Sequence, residues 1–233
     1  MSIRKRSLTR ALRFAGGSLA ATAIGWGGYA AVTWWRYGKD AGAGSPNPLL
    51  DSFVSEPEVR ERHETIVRAP ADLAWSAAQD LDLERSPAVR AIFSARELLM
   101  GSHPAAAGQP RRFLDQIRSL GWRQLAEGPG YALAFGAVTQ PWEANVVFRG
   151  LDPEEFARFD QPGYAAIAWT FEVHPLGPDE SIFRTETRVR TTDPRSRERF
   201  RRYWSIVSPG IRLIRLESLR LIRKDAEHRA NAS

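Results

Sequence analysis

The residues able to do chemistry are few and scattered. Four histidines, His63, His103, His174 and His228, are dispersed along 233 residues with no metal-ligand spacing. Cysteine is absent, which excludes a thiolate zinc site, a cysteine nucleophile and a disulfide framework. The sequence contains no nucleophile elbow, phosphate loop or dinucleotide fingerprint. Asp152, Glu154 and Glu155 gather at the start of a short predicted helix, where acids suit the dipole. Glu143 follows Trp142 in a loop, where it could line a pocket entrance and act on a ligand. His174 sits at a strand end before Pro175, a surface position by default. No catalytic residue, metal ligand or cofactor is assigned from these residues, and whether the chain catalyses a reaction stays open.

The elements that would position such groups are set by charge and periodicity. The net charge of +6 conceals an uneven distribution. Residues 1–39 hold seven basic and no acidic side chains, residues 195–233 hold eleven basic against four acidic, and the body between them is acidic. Basic ends around an acidic body argue against a nucleic-acid interface. Arginine far outnumbers lysine, which occurs only at positions 5, 39 and 224, as is common in GC-rich bacterial genomes.

Residues 14–35 carry no charge over 22 positions and end on Trp34 and Trp35. As a helix they would cover about 33 Å, enough for a hydrocarbon core with an aromatic belt. Five positive residues precede the span, against Arg36 and Lys39 just after it. The expectation is one membrane anchor at the bacterial inner membrane, N-terminus inside, with the domain on the periplasmic side. A cleaved signal peptide, processed near Ala41–Ala43, is the alternative. The expected layout is a basic N-terminus and anchor over 1–37, a linker over 38–58 and one folded domain over 59–229.

Within that domain, strands are expected at 62–70, 145–149, 165–174 and 181–192, with a hairpin over 122–138. Helices are expected from Pro70, at 86–101, at 110–120 ending on Gly121, and at 152–159, with a loop at 101–110. One long helix closes the chain, capped by Asp193 with Pro194 first inside it. Pro209 and Gly210 predict a kink or break there. The order implies an α+β layout with helices on one side of an antiparallel sheet.

The last two strands alternate cleanly. Ile167, Trp169, Phe171 and Val173 share one face, as do Phe183, Thr185, Thr187 and Val189. A turn over 175–181 sets Glu172 opposite Arg184, Thr170 opposite Glu186 and Trp169 opposite Thr187. The row of Arg184, Glu186, Arg188 and Arg190 reads as a solvated face, and Arg188→Ala is expected to do little. Ala132, Ala134 and Gly136, opposite Tyr131, Leu133 and Phe135, signal either a cavity or close packing of helix on sheet.

Four stretches, "RHETIVRAPADLAW", "FDQPGYAAIAWTFEVHPLG", "TETRVRTTDPRSRERFRRYW" and "SPGIRLIR", resemble a bacterial branch of the START-like superfamily, also called SRPBCC or polyketide cyclase/dehydrase-like. The resemblance covers about residues 60–228. It implies a helix-grip fold, a curved antiparallel sheet around the long C-terminal helix, with a hydrophobic ligand between them. The insert 86–120 departs from the family and would reshape or cover the pocket mouth. On that account the expected lining is Leu133 and Phe135 on one strand, with Ile167, Trp169 and Phe171 on the next. Thr185 and Thr187 follow on the third, and Tyr203, Trp204, Val207 and Ile211 on the helix. Trp169 and Phe171 are expected to meet Trp204, Val207 and Ile211. The expected function is membrane-tethered binding of a hydrophobic small molecule or lipid. A small cyclase, dehydratase or hydrolase using the same cavity is the alternative.

Overall fold

The computed structural model describes residues 25–37, 46–100 and 112–232. The expected loop at 101–110, residues 14–24 of the apolar span and residues 38–45 of the expected linker lie outside the described residues.

Strand-forming alternation and turn residues generate one antiparallel sheet. Its strands are β1 (Val59–Val67), β2 (Arg123–Gly128), β3 (Tyr131–Thr139), β4 (Phe148–Arg149), β5 (Ala165–Pro175) and β6 (Ser181–Thr191). They lie in the order β1-β6-β5-β3-β2, with β4 paired to β3. The turn between β2 and β3 uses Gly130 at φ 72°, a conformation that side chains with a Cβ rarely adopt. The β5–β6 register is the expected one, with Glu172 opposite Arg184 and Trp169 opposite Thr187. At Thr170 side chains supplement the ladder. The Glu186 amide donates to Thr170 Oγ1 at 3.1 Å, and Thr185 Oγ1 donates to the Thr170 carbonyl at 2.7 Å.

The helices are α1 (residues 25–36), α2 (Pro48–Asp51), α3 (Ala71–Gln79), α4 (Pro87–Met100), α5 (Phe113–Ser119), α6 (Pro153–Arg158) and α7 (Pro194–Ala232). α5 ends at Gly121, whose φ is 96° and where a Cβ would lie 2.2 Å from the Phe148 carbonyl oxygen. α7 runs 39 residues through Pro209, so of the expected kink or break there is no break. A single proline removes one backbone donor, and packing on both sides holds the rest of the helix: Trp204, Ser205, Ser208 and Gly210 are all buried.

Asp193 caps α7 as expected. Its Oδ1 accepts from the amides of Arg195 (2.9 Å) and Ser196 (3.1 Å), and its Oδ2 from the Gly163 amide at 2.7 Å and from the Ser196 hydroxyl. The Ser196 hydroxyl and these amides hold its carboxyl well below the usual aspartate range. A depressed carboxyl adds stability that is full above the ordinary value, near pH 4, and is lost as pH falls towards the folded value. Acid unfolding of Asp193→Asn is therefore expected to show a shallower dependence on pH below about 4 than the parent chain. Parallel slopes in a denaturation series over that range would refute it.

Both faces of the sheet are covered, not one. α3, α5 and α7 pack on the inner face, while α2 and α6 pack on the outer face beside Leu125, Ala134, Val138, Ala166 and Ala168. Leu50 and Val54, inside the stretch expected to be linker, are completely buried there, so residues 47–54 belong to the folded unit. The small residues of β3 serve this close approach. A Cβ on Gly136 would fall 2.4 Å from Leu125 and 3.0 Å from Phe156.

Covering the outer face buries the middle of the row expected to be solvated. Glu186 and Arg188 are 0% and 1% exposed. Arg188 donates through Nε to Glu186 at 2.8 Å and through one terminal nitrogen to Asp51 at 2.6 Å and the Val54 carbonyl at 2.9 Å. Arg60 Nε donates to the same Glu186 oxygen at 2.8 Å. Glu172 does not reach Arg184: its carboxylate takes the Asn47 amide at 2.9 Å and lies 3.0 Å from His174, while Arg184 pairs with Glu64 at 2.9 Å. Arg190 donates to the carbonyls of Phe156, Ala157 and Phe159, closing the C-terminal end of α6.

Candidate ligand site between the sheet and the last helix

The inner face of the sheet meets α7 in three zones. At one end Leu133, Phe135, Trp169 and Phe171 form an apolar cluster with α3 and with Leu219, Ile222 and Ala226 of α7. Trp169 stacks on Phe135 (centroids 5.0 Å apart, 18° between planes) and meets Trp122 edge-on at 6.1 Å. The insert contributes here through Phe113 of α5, 5.9 Å from Trp169 and 6.0 Å from Phe171. At the other end Ile167, Tyr203, Trp204 and Ile211 gather with Val59, Ala165, Val189 and Phe200.

The expected lining residues thus fall into two groups. Trp169 and Phe171 are clustered with Leu219 and Ile222, not with Trp204 and Ile211, so a later part of α7 than expected lies against them. Val207 is half-buried on α7. Thr187, opposite Trp169, meets Arg215 instead of an apolar residue, at 2.8 Å from a terminal guanidinium nitrogen to Oγ1.

Arg215 marks the third zone, between the two apolar ones. β1 presents Glu61 and His63 on the same inner face, because Glu61 pairs with Thr187 and His63 with Thr185 in the β1–β6 ladder. Arg215 lies 3.9 Å from Glu61 Oε2, and His63 Nε2 lies 3.6 Å from that same oxygen. Burial pushes the Glu61 carboxyl up, but the His63 ring and the charges of Arg215 and Arg212 outweigh it and hold it below its ordinary value. Burial lowers the Arg215 guanidinium, which the Glu61 charge partly offsets.

Sequence reasoning missed all three residues. The signal for Arg215 was present: Ile211, Arg215 and Leu219 stand four apart, followed by Ile222 and Ala226, which continues a buried helical stripe straight through the arginine. Glu61 and His63 share a strand face with Val59 and Val67, so period two alone places them inward.

Glu143 does line a cleft, of about 150 Å³, with Val138, Gln140 and Tyr164, and a second, open cleft of about 810 Å³ lies along α6. Both are outside the interface between the sheet and α7. Among the described residues no cluster of His, Asp and Glu side chains has the arrangement of a metal site.

This topology, an antiparallel sheet closed on a long C-terminal helix, is the α+β helix-grip layout. The chain is similar in structure to norcoclaurine synthase from Thalictrum flavum (14% identity, 73% of this chain and 96% of that one, TM-score 0.33). It is also similar to a START superfamily protein from Mycobacterium smegmatis (15% identity, 74% and 97%, TM-score 0.26). A third similar structure is the Zhui aromatase/cyclase from a Streptomyces species (15% identity, 73% and 94%, TM-score 0.23). No family model and no curated protein matches the sequence.

Proposed function

We propose that the protein is a membrane-tethered binder of a hydrophobic small molecule or lipid, held between the inner face of the sheet and α7. The observation that carries this reading is the break in that interface. A helix packed on a sheet solely for stability is expected to bury one continuous apolar seam. Here two apolar clusters are separated by Glu61, His63, Thr187 and Arg215. Mostly apolar walls with a few convergent polar groups are the composition of a small-molecule site.

Tethering rests on the uncharged span over 14–35 and its basic flank. Among the described residues no helix is long and apolar enough to cross a membrane. The described part of the span, α1, leaves Trp35 and Val32 exposed and rests on α7, with Trp26 Nε1 donating to the Ile206 carbonyl at 3.0 Å. Arg201 lies 4.1 Å over the Trp34 ring. The positive flank before the span supports a domain on the periplasmic side. A second reading, a small cyclase, dehydratase or hydrolase, draws on the Glu61–His63 pair, an acid and a base within 3.6 Å of each other.

Native mass spectrometry of the full chain, extracted from membranes in detergent, tests this reading. The expected result is an intact N-terminus with an additional bound hydrophobic mass. A mature chain beginning near Gly44 would remove the anchor, and a folded chain carrying no such mass would remove the binding function.

A further inference from the structure

Three polar atoms of one charged cluster meet in the middle of the interface without hydrogen-bond partners. Glu61 Oε2, His63 Nε2 and Arg215 NH1 are each shut off from solvent, and none makes a hydrogen bond within the protein. The separations of 3.6 Å and 3.9 Å about Glu61 Oε2 are too long for direct bonds. Buried polar groups are nearly always hydrogen-bonded, so three such atoms gathered about Glu61 Oε2 leave hydrogen-bonding capacity for a polar group from outside the chain.

The donor and acceptor pattern selects that group. Arg215 can only donate. Glu61, held ionised by its surroundings, can only accept. His63 Nε2 donates in the tautomer that carries its proton there. A single oxygen satisfying all three must donate once and accept twice, which is the pattern of a hydroxyl. A carboxylate would set a second negative charge beside Glu61, and an ether or ketone would leave Glu61 Oε2 without a donor.

Resting on the binding reading above, we propose that the ligand is an apolar molecule bearing an alcohol. Its O–H donates to Glu61, and its oxygen accepts from Arg215 and His63. The apolar clusters on either side, around Trp169 and around Trp204, take the rest of the molecule.

The test is equilibrium dialysis of the full chain in nanodiscs, corrected with empty nanodiscs, against dodecanol, dodecanoate and the methyl ether of dodecanol. Dodecanol is expected to bind at least about tenfold more tightly than the other two, since each of them leaves a buried polar group unpaired or opposed. Glu61→Gln, checked by thermal melting to be folded, is expected to narrow the preference for alcohol over carboxylate by about tenfold, chiefly by strengthening carboxylate binding. A role confined to holding β1 against α7 would weaken all three probes alike. Equal binding of alcohol and ether, or an unchanged preference in Glu61→Gln, overturns this inference and leaves the proposed function standing. If no probe binds and the purified chain carries no hydrophobic mass, both fall.

Discussion

Arg188→Ala is expected to destabilise the domain by about 3–5 kcal/mol, lowering Tm by on the order of 10 °C. The substitution leaves Glu186, which is fully buried, with Arg60 as its remaining cation in that cluster, and it strips the Val54 carbonyl of its donor. It also opens a void under residues 47–54, the segment that covers this part of the outer face. The cost comes from orphaning charge, not from losing a favourable pair, and that distinction can be measured. Replacing both partners, Arg188→Met with Glu186→Leu, is expected to cost less than Arg188→Ala alone, because desolvation of the pair nearly cancels its attraction. Thermal denaturation of Arg188→Ala, Arg188→Met, Glu186→Leu and the double variant decides it. A loss below about 1 kcal/mol for Arg188→Ala would mean that residues 47–54 do not cover this face in solution. Additive losses in the double variant would mean that the pair is not coupled.

Trp169→Ala is expected to cost about 3–5 kcal/mol, the range for deleting a large aromatic from a core. Trp169 is 9% exposed and touches Phe135, Phe113, Trp122 and Phe171, so its removal takes ring contacts from β3, α5 and the neighbouring strand segment together. The same substitution enlarges the apolar zone beside Arg215, so a variant that still folds is expected to retain the bound hydrophobic mass less well. Urea denaturation reports the first effect, and native mass spectrometry of the folded fraction the second. A loss under about 1.5 kcal/mol would place Trp169 at the edge of the core and not within it.

These two variants divide what could be read locally from what could not. Period-two alternation over 165–191 named the row containing Trp169 as the one facing the core, and that row is where Trp169, Phe171, Val173, Phe183 and Val189 are buried. The same alternation named the row of Glu186 and Arg188 as solvated, and there it misled. An arginine is mostly exposed unless it is paired, and its strand neighbour Glu186, 2.8 Å away, could pair with it equally well on a wet face. The partners that cover it are Asp51 and the Val54 carbonyl, 137 and 134 residues away.

The candidate site shows the same division. The helical spacing that carries Ile211 to Leu219 passes through Arg215, so the residue's inward position was legible in the sequence. A charged residue ordinarily faces water, but here Glu61 and Thr187 supply partners from two strands that are adjacent only in the folded sheet.

By itself, then, the sequence determined what depends on near neighbours. The strand alternation, the β5–β6 register, the Asp193 cap, the glycine stops and the order of elements all arise from interactions between residues close along the chain. Which face of the sheet meets water, how far α7 slides along the strands, and where polar atoms converge were decided only by tertiary structure. Those depend on burial, and burial is set by segments distant in sequence that cover a surface.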